Sequence, residues 1–360
     1  AEGEVAKLNP LASHRYLVRG GKLRAIKPNP LSLLTTGALT WGDRFSALRE
    51  YASKSAFVAP EDESMRALFE RRFGAPMVDA VFEAMFQGIF AGDLNELSVR
   101  SCLPALSGAE QRHGGVLRAL MAAPKAEGGK PGLFSFTRGL GVIGEYAAKR
   151  VPHTCGVEVA EVTTTAAGVS VRSVDGRTFA AKKLVLACEA PATAPLLASL
   201  APQTAKELAA FDYAPVSLVQ WTERTPGEAR LPRGFGYLAA PREQLFALGM
   251  LFIGDLLDGG QRRFSSLVGG ALQRDRAALP DDQLIEGVSA DVQRLTGGVV
   301  GEVHRVVRYP RAVFQPKVGH LDALARAKAG LAGLPIALAG SYCGGAAMKD
   351  AIAAGFEAVA

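Results

Sequence analysis

Two glycine-rich segments are the parts of the sequence whose residue types and spacing could hold a nucleotide. Residues 139–144 (GLGVIG) match the GxGxxG spacing, and Glu158 or Glu161 follows roughly 20 residues later, as in a dinucleotide-binding turn. That turn needs a buried parallel strand leading directly into its first glycine, whereas residues 134–138 form a short, polar segment that ends in a charge. We therefore expect a helix start with coincident glycines here.

The second glycine-rich segment lies close to the end of the sequence. An apolar stretch at 334–339 predicts a buried strand, residues 340–345 (GSYCGG) a loop, and the remainder to Ala360 a helix. A loop of this kind exposes amide N–H groups beside the positive end of the helix dipole, which favours a phosphate or a polar ring edge. Gly355, inside the predicted helix, costs about 1 kcal/mol relative to Ala and predicts close packing or approach to a ligand.

Histidines and cysteines show no spacing that would build a metal or nucleophile site. The five histidines lack metal-ligand spacing, and the four cysteines form no CxxC pair. This argues against a zinc ribbon or a disulfide framework and favours a reducing compartment. Motifs of serine hydrolases, zinc proteases and P-loop proteins are absent from the sequence. We predict no catalytic side chain and no metal, which fits a redox flavoenzyme whose cofactor carries the chemistry.

The composition is that of a globular protein with a large core. The 360 residues are 48% hydrophobic and 21% charged, which excludes disorder and allows two or three domains. Lys and Arg exceed Asp and Glu by 41 − 35 = 6, which suits an anionic substrate or a membrane surface without deciding between them. Nucleic-acid partners are not predicted, because reading motifs are missing and aromatic residues make up only 7%.

Turn residues place several strands of the predicted α/β and α+β architecture. Gly20-Gly21 supplies the positive φ values of a two-residue hairpin loop, and Asp175-Gly176 gives the same signal further on. The four strands that these turns join are predicted at 16–19, 22–26, 169–174 and 178–186. Other predicted elements are strands at 157–162, 217–223, 236–239, 245–252 and 302–309, helices at 194–200 and 282–295, and a linker at 122–132.

The apolar stretch 31–51 could have either of two roles. It includes Trp41 and Phe45, but it is too short and too polar to cross a bilayer. It could lie in a membrane interface with Arg44 and Arg49 at the headgroups. It could equally form an ordinary pair of core helices, and the periodicity leaves both interpretations open.

Four segments, in matching order over nearly the whole chain, resemble one protein family. They are residues 15–26 (RYLVRGGKLRAI), 87–100 (QGIFAGDLNELSVR), 309–322 (YPRAVFQPKVGHLD) and 340–348 (GSYCGGAAM). Their sequences are similar to motifs of the oxygen-dependent protoporphyrinogen oxidases, within the flavin-containing amine oxidase superfamily. The segment GHLDAL, which begins at Gly319, most resembles the plastid-type branch of this family.

The resemblance implies an FAD-linked fold of the amine oxidase and glutathione reductase type. It implies oxidation of protoporphyrinogen IX to protoporphyrin IX with oxygen, in haem and chlorophyll biosynthesis. The implied location is a plastid or mitochondrial inner membrane, or the cytoplasmic face of a bacterial inner membrane. The implied domains are a mixed-sheet substrate domain (1–26 as a hairpin, and 213–332), a helical membrane-binding domain (27–122) and an FAD domain (133–212 and 333–360).

The resemblance also carries site residues over to this sequence. Arg15 matches the arginine that pairs with a substrate propionate, and Gly88 matches the glycine whose backbone lies against the tetrapyrrole. Leu251 matches a leucine that sandwiches the macrocycle, and Leu267 replaces the aromatic on the opposite side. The residues that match FAD contacts are Val159, Gly340, Gly345, Ala346 and Met348.

The sequence departs from the family pattern in several places. Tyr309 stands where the family has Trp, Phe314 where it has Pro, and Pro316 where it has an aromatic residue. The loop at residues 254–263 is shorter than the corresponding loop in the family. The first Rossmann unit of the family, which carries the pyrophosphate-binding glycines, is missing from the 360 residues.

Three explanations remain open for the missing unit. The unit could exist outside this sequence, in which case the chain is an FAD enzyme. The chain could instead be a non-catalytic paralogue without FAD, acting in a homodimer or a larger membrane complex. It could also be another amine-oxidase-fold enzyme, such as a carotenoid desaturase-like one. A sheet without its first strand would expose an unpaired edge, so the paralogue explanation predicts a protein partner there.

Overall fold

The computed structural model describes residues 5–26, 37–53, 60–122, 134–257, 260–345 and 347–360. The chain divides into two compact units. The first unit consists of Ala1–Val142 and Tyr213–Val313, and the second consists of Ile143–Asp212 and Phe314–Ala360. The predicted domain boundaries stay a prediction, and the predicted linker falls almost entirely outside the described residues.

The strands are numbered in chain order. They are β1 (Val5–Lys7), β2 (Arg15–Arg19), β3 (Lys22–Ile26), β4 (Phe134–Phe136), β5 (Val159–Thr165), β6 (Gly168–Ser173), β7 (Thr178–Ala181), β8 (Leu184–Leu186), β9 (Tyr213–Thr222), β10 (Gly236–Leu238), β11 (Gly249–Leu251), β12 (Arg263–Gly269), β13 (Glu302–Phe314) and β14 (Ile336–Leu338).

The α-helices follow the same rule. They are α1 (Trp41–Ala52), α2 (Met65–Phe73), α3 (Ala75–Met77), α4 (Glu83–Phe90), α5 (Val99–Cys102), α6 (Ala109–His113), α7 (Val116–Ala122), α8 (Gly141–Ala148), α9 (Ala190–Leu197), α10 (Pro202–Ala209), α11 (Ile253–Leu256), α12 (Asp281–Thr296), α13 (His320–Ala329), α14 (Ser341–Gly344) and α15 (Met348–Val359). A π-helical turn, Val78–Phe82, joins α3 to α4. Among the described residues, no helix is both long and apolar enough to cross a membrane.

A seven-stranded mixed sheet forms the centre of the first unit. Its strand order is β13-β9-β12-β11-β10-β2-β3. The predicted Gly20-Gly21 hairpin is confirmed, since β2 and β3 are antiparallel with Arg19 opposite Lys22 and both glycines have positive φ. Strand β2 also pairs in parallel with β10, so the N-terminal hairpin extends a sheet made from a distant part of the chain.

The two faces of this sheet pack against different helices. Because successive side chains alternate between faces, Val18, Tyr237 and Met250 point to one side, where they pack with Leu284 and Val288 of α12. Residues on the opposite face, such as Leu17 and Leu238, pack against a helical layer formed by α1–α7. That layer is built around stacked phenylalanines, among them Phe69, Phe82 and Phe86.

The second unit contains two small sheets. Strands β5, β6 and β7 form an antiparallel meander, and the Asp175-Gly176 turn joins β6 to β7 as predicted. The predicted strand 178–186 is wrong as a single element. It stops at Ala181, and Leu184–Leu186 instead forms β8, which pairs in parallel with β14. A continuous apolar run suits a buried parallel strand better than a meander edge, which is the physical reason for the division.

The predicted helix start at the GxGxxG segment is confirmed. The preceding strand β4 pairs antiparallel with β1, and helix α8 begins at Gly141. A side chain added at Gly139, Gly141 or Gly144 would meet no other atom within 4 Å, so these glycines make no close backbone approach. The predicted strand 245–252 is too long, since only Gly249–Leu251 is a strand.

Candidate functional site

Three of the four predicted substrate residues lie on one face of the seven-stranded sheet. Arg15 is opposite Gly236, Gly236 is opposite Leu251, and Leu251 is opposite Ser265. Residues in one such register row share a face. Leu267 lies two residues beyond Ser265 on β12 and therefore also points to this face. We call this surface the Arg15 face.

The guanidinium group of Arg15 forms no ion pair with a described residue. Its Nε atom is buried and has no hydrogen-bond partner among the described residues. The group lies over the ring of Phe235, 4.8 Å from the centroid. By contrast, Arg19 on the same strand forms an ion pair of 2.7 Å with the buried carboxylate of Asp43. A buried cationic donor without an acceptor is costly, and a bound anion at this position would remove that cost.

Apolar side chains occupy the middle of the Arg15 face. Leu251 and Leu267 are diagonal neighbours on β11 and β12, and both are half-buried. Gly236 and Gly249 contribute no side chain between Arg15 and these leucines. The surface therefore combines a cation at one end with an apolar strip beside it, which suits a flat ligand that carries a carboxylate.

Gly88 lies on helix α4, which packs directly onto the Arg15 face. A methyl group added at Gly88 would come 2.2 Å from Cδ2 of Leu238 and 2.8 Å from its Cδ1. Any side chain at this position would displace Leu238. The structure thus brings Gly88 to the same surface as the three sheet residues, at the strand between Arg15 and Leu251.

The predicted cofactor loop lies in the second unit, directly after β14. Gly340 has φ +128° and Gly345 has φ +139°, conformations that residues with side chains rarely adopt. A methyl group at Gly345 would come 2.8 Å from the Asp350 carboxylate. Helix α15 follows, and its N-cap residue, Ala347, makes no side-chain capping bond, while the amide of Asp350 donates to the carbonyl oxygen of Ala347.

Other residues of the second unit support this loop. The imidazole Nε2 of His320 lies 2.9 Å from the carbonyl oxygen of Tyr342, within the loop. His320 is buried, with its ring edge-on to Phe211 and Phe314. Burial raises the pKa of the Cys343 thiol to about 11, so this cysteine stays protonated and is a poor nucleophile.

The remaining predicted FAD contacts are less closely defined. Val159 is half-buried at the start of β5, beside a β-bulge between Val159 and Glu161. Met348 is exposed at the first position of α15. Ala346 lies outside the described residues.

The residues present fit a flavin at the strand–loop–helix connection. Two glycines with positive φ and an uncapped helix N-terminus are what close backbone approach to a polar ring or a phosphate requires. Among the described residues, β8 is the other strand of this parallel pair, and the turn that follows it (Ala187-Cys188-Glu189) contains no glycine. The described part of the unit therefore offers one glycine-rich strand–helix turn.

Comparison with known proteins extends these observations. Residues 7–360 match the model of the flavin containing amine oxidoreductases. The chain belongs to this family. Its cofactor by this resemblance is a flavin, and its chemistry is that of a flavin oxidoreductase.

Individual relatives point to one branch of the family. The chain is 26% identical to protoporphyrinogen oxidase from Bos taurus over 386 residues, covering 98% of this chain and 79% of the relative. It is 26% identical over 344 residues to protoporphyrinogen oxidase 2, chloroplastic/mitochondrial, from Arabidopsis thaliana, covering 82% and 66%. It is also 28% identical over 308 residues to coproporphyrinogen III oxidase from Mycobacterium bovis, covering 83% and 66%. The predicted resemblance to protoporphyrinogen oxidases is confirmed.

Solved structures agree on the fold. A crystal structure of a protein from Exiguobacterium sp. 255-15, assigned as a protoporphyrinogen oxidase, superimposes with a TM-score of 0.82 at 17% identity. The match covers 98% of this chain and 80% of that protein. The predicted amine-oxidase-type fold with mixed sheets is confirmed.

Sequence reasoning missed several residues around these surfaces. Gly236 and Phe235, beside Arg15, give no local signal, because their position depends on the parallel pairing of β2 with a strand more than two hundred residues away. Arg24 was also missed, although the two-residue hairpin fixes it opposite Leu17, on the Arg15 face. At Gly355 the predicted close packing is wrong, since an added methyl group would meet no other atom within 4 Å, and the alternative, approach to a ligand, stays a prediction.

Proposed function

We propose that this protein is an FAD-dependent protoporphyrinogen oxidase that converts protoporphyrinogen IX to protoporphyrin IX with oxygen as the electron acceptor. The observation that carries the proposal is the buried Nε of Arg15, which has no hydrogen-bond partner in the described part of the chain and lies beside an apolar strip. A tetrapyrrole with propionate groups has both features that this surface would complement, a carboxylate and a broad apolar ring system.

Each residue of the Arg15 face would have a distinct part in binding. Arg15 would hold a propionate through charge-assisted hydrogen bonds, which fix both the position and the orientation of the ligand. Leu251 and Leu267 would contact the macrocycle, and Gly88 would let helix α4 pack closely on Leu238 of the same face. These contacts orient the substrate and exclude water, and no protein acid or base is assigned to the reaction.

The loop of the second unit would hold the cofactor. When bound, FAD supplies the electron-accepting chemistry that removes hydrogen from the substrate and passes the electrons to oxygen. Gly340 and Gly345 would allow the backbone to approach the ring, and the N-terminus of α15 would stabilise negative charge. Val159 would contact the adenosine half, and Met348 and Ala346 would complete the loop.

A carotenoid desaturase-like activity is less well supported. A hydrocarbon substrate offers no acceptor to the Arg15 guanidinium, so its buried Nε would remain without a partner and would destabilise the complex. A carboxylate-bearing substrate removes this cost.

A second candidate is a non-catalytic paralogue that acts as a subunit of a dimer or a larger membrane complex. Two observations favour it. Among the described residues, β14 pairs only with β8, and a cavity of about 330 Å³ lies beside it. Helix α15 also exposes an apolar stripe, formed by Met348, Ile352, Phe356 and Val359. A protein partner would cover both features.

We also propose that the helical layer attaches the protein to a membrane surface, in a plastid or mitochondrion or at the inner membrane of a bacterium. Trp41, Phe45 and Leu48 are exposed at successive turns of α1, and Trp41 has 82% of its surface accessible. Arg44 lies over the Trp41 ring at 4.9 Å. An apolar stripe with flanking arginines suits the headgroup region of an anionic bilayer.

A flavin absorbance spectrum, combined with the intact mass of the same purified protein, separates the two main candidates. The enzyme proposal expects bound FAD in approximately equimolar amount, released on denaturation. If the natively produced protein has an intact mass of 37.8 kDa, that of the 360 residues, and neither retains nor takes up FAD, the enzyme proposal is overturned and the paralogue is favoured. Bound FAD would exclude the paralogue.

A further inference from the structure

We infer that Arg24 is a second carboxylate-binding residue, so that the Arg15 face recognises a pair of neighbouring carboxylates at one edge of the ligand. This inference rests on the proposed function and deepens it, because it concerns which tetrapyrrole the surface accepts. It identifies Arg24 as a specificity-determining residue.

The hairpin register places the two arginines together. Arg15 is opposite Ile26, and Leu17 is opposite Arg24, so all four residues point to the same face of the sheet. Arg15 and Arg24 are diagonal neighbours across β2 and β3. Such neighbours lie about 7–8 Å apart, a separation that two long, flexible side chains can adjust to the spacing of two adjacent propionates.

The charges on this part of the sheet are unequally compensated. Arg19 is neutralised by Asp43, and its Nη1 also donates to the carbonyl oxygen of Ala38. Arg24 is exposed and forms no hydrogen bond or ion pair with a described residue. Arg15 likewise has no carboxylate partner among these residues, only the Phe235 ring. Two uncompensated arginines, side by side, favour a ligand that brings two negative charges.

The rest of the face limits where further charges can be placed. Leu251 lies two strands away from Arg15, a distance of about 10 Å, and Leu267 lies on the strand beyond. A ligand held by both arginines would therefore extend its opposite edge over leucines. Carboxylates at that edge would lose hydration without gaining a partner, which is costly. The surface thus fits a tetrapyrrole with two adjacent propionates and an apolar opposite edge, and it disfavours one with four carboxylates.

Lys22 provides a matched control for Arg24. Strand β3 ends the sheet, and charged residues on edge strands commonly serve only to prevent association with other sheets. Lys22 lies on the same strand and the same face, is also exposed, and is opposite Arg19 rather than near Arg15. If Arg24 served only to protect the edge, the two positions would behave alike.

The test measures binding of stable porphyrins to the purified full-length protein by fluorescence titration in detergent, which needs no flavin turnover. Probes are protoporphyrin IX, its dimethyl ester and coproporphyrin III. We expect Arg24→Ala to weaken protoporphyrin IX binding by about threefold to fivefold, because Arg24 is exposed and water screens its ion pair, with partial recovery in Arg24→Lys and no change in Lys22→Ala. The dimethyl ester should bind equally to wild type and Arg24→Ala, and coproporphyrin III should bind wild type more weakly than protoporphyrin IX.

The outcomes distinguish this inference from the proposed function. Unchanged protoporphyrin IX binding in Arg24→Ala, together with weakened binding in Arg15→Ala, would overturn the role of Arg24 and leave the proposed function standing. Equal losses for the acid and the ester, or for Lys22→Ala and Arg24→Ala, would also overturn it. If the wild-type protein bound none of the three porphyrins, the proposed function itself would fail.

Discussion

Arg15 and Leu251 lie in one register row of the seven-stranded sheet, with only Gly236 between them. The cation and the apolar contact are thus fixed relative to each other by strand pairing rather than by a loop. Sites built on strands hold their geometry closely, because the backbone hydrogen bonds of the sheet set the distances. A ligand at this surface would meet a largely preformed arrangement.

The loop glycines lead to a prediction about cofactor retention. Gly340→Ala forces a side chain into φ +128°, a strain of about 1–3 kcal/mol. We expect the variant to retain at least about fivefold less FAD than wild type after extensive dialysis, measured by flavin absorbance. Gly144→Ala, within α8, is the matched control, because nothing lies within 4 Å of the added methyl group and its φ is ordinary. Equal flavin content in Gly340→Ala and wild type would contradict the assignment of this loop.

The buried carboxylate of Glu50 predicts a position where substitution strongly destabilises the helical layer. Glu50 accepts hydrogen bonds from Arg72 and from the amides of Val116 and Leu117, and its side chain is fully buried. We expect Glu50→Ala to lower the free energy of unfolding by about 3–5 kcal/mol in urea titrations, since it leaves a buried cation poorly compensated. Glu61→Ala, which removes an exposed ion pair with Arg100, should cost less than about 1 kcal/mol. Similar effects of the two substitutions would be inconsistent with this account.

Thr40 and Asp43 form a capping box at the start of α1, which predicts that the free energy of unfolding depends on pH. Burial by itself would raise the pKa of Asp43, but hydrogen bonds from Arg19 and Thr40 hold it below its ordinary value. A carboxylate with a lowered folded-state pKa stabilises the protein above its unfolded pKa and loses this contribution as the pH falls through the folded value. The difference in unfolding free energy between wild type and Asp43→Asn should therefore be greatest near neutral pH and shrink below pH 3.8. A difference that does not change with pH would count against this origin of stability.

These local features illustrate how much the sequence could predict. The Gly20-Gly21 turn determined the β2–β3 hairpin correctly, because a two-residue loop fixes both the turn type and the register. From that register the position of Arg24 could also have been deduced. The partnership of β2 with β10 could not, because local turn and alternation signals carry no information on which distant strand pairs in parallel. Leu184–Leu186 was correctly predicted to be a strand, but its parallel pairing with β14 could not be deduced for the same reason.

The exposed stripe of α1 predicts membrane attachment. We expect replacement of Trp41 and Phe45 by Ser to lower binding to anionic phospholipid vesicles more than tenfold, since each buried aromatic side chain contributes about 1.5–3 kcal/mol. Co-sedimentation with vesicles measures this directly. Val299→Ser, which removes an exposed apolar side chain outside the helical layer, should leave binding unchanged. Undiminished binding of the double variant would contradict the proposed role of α1.

The central claim, that Arg15 holds a tetrapyrrole carboxylate while a flavin oxidises the ring, is tested most directly by the oxidation of protoporphyrinogen IX. The rate of porphyrin fluorescence should be followed for the FAD-loaded protein and for Arg15→Ala with the same flavin content. We expect wild type to form protoporphyrin IX, and we expect Arg15→Ala to lower kcat/KM by about tenfold to a hundredfold, the loss of one charge-assisted carboxylate contact. No oxidation by the FAD-loaded wild type, or an unchanged kcat/KM in Arg15→Ala, would contradict the account.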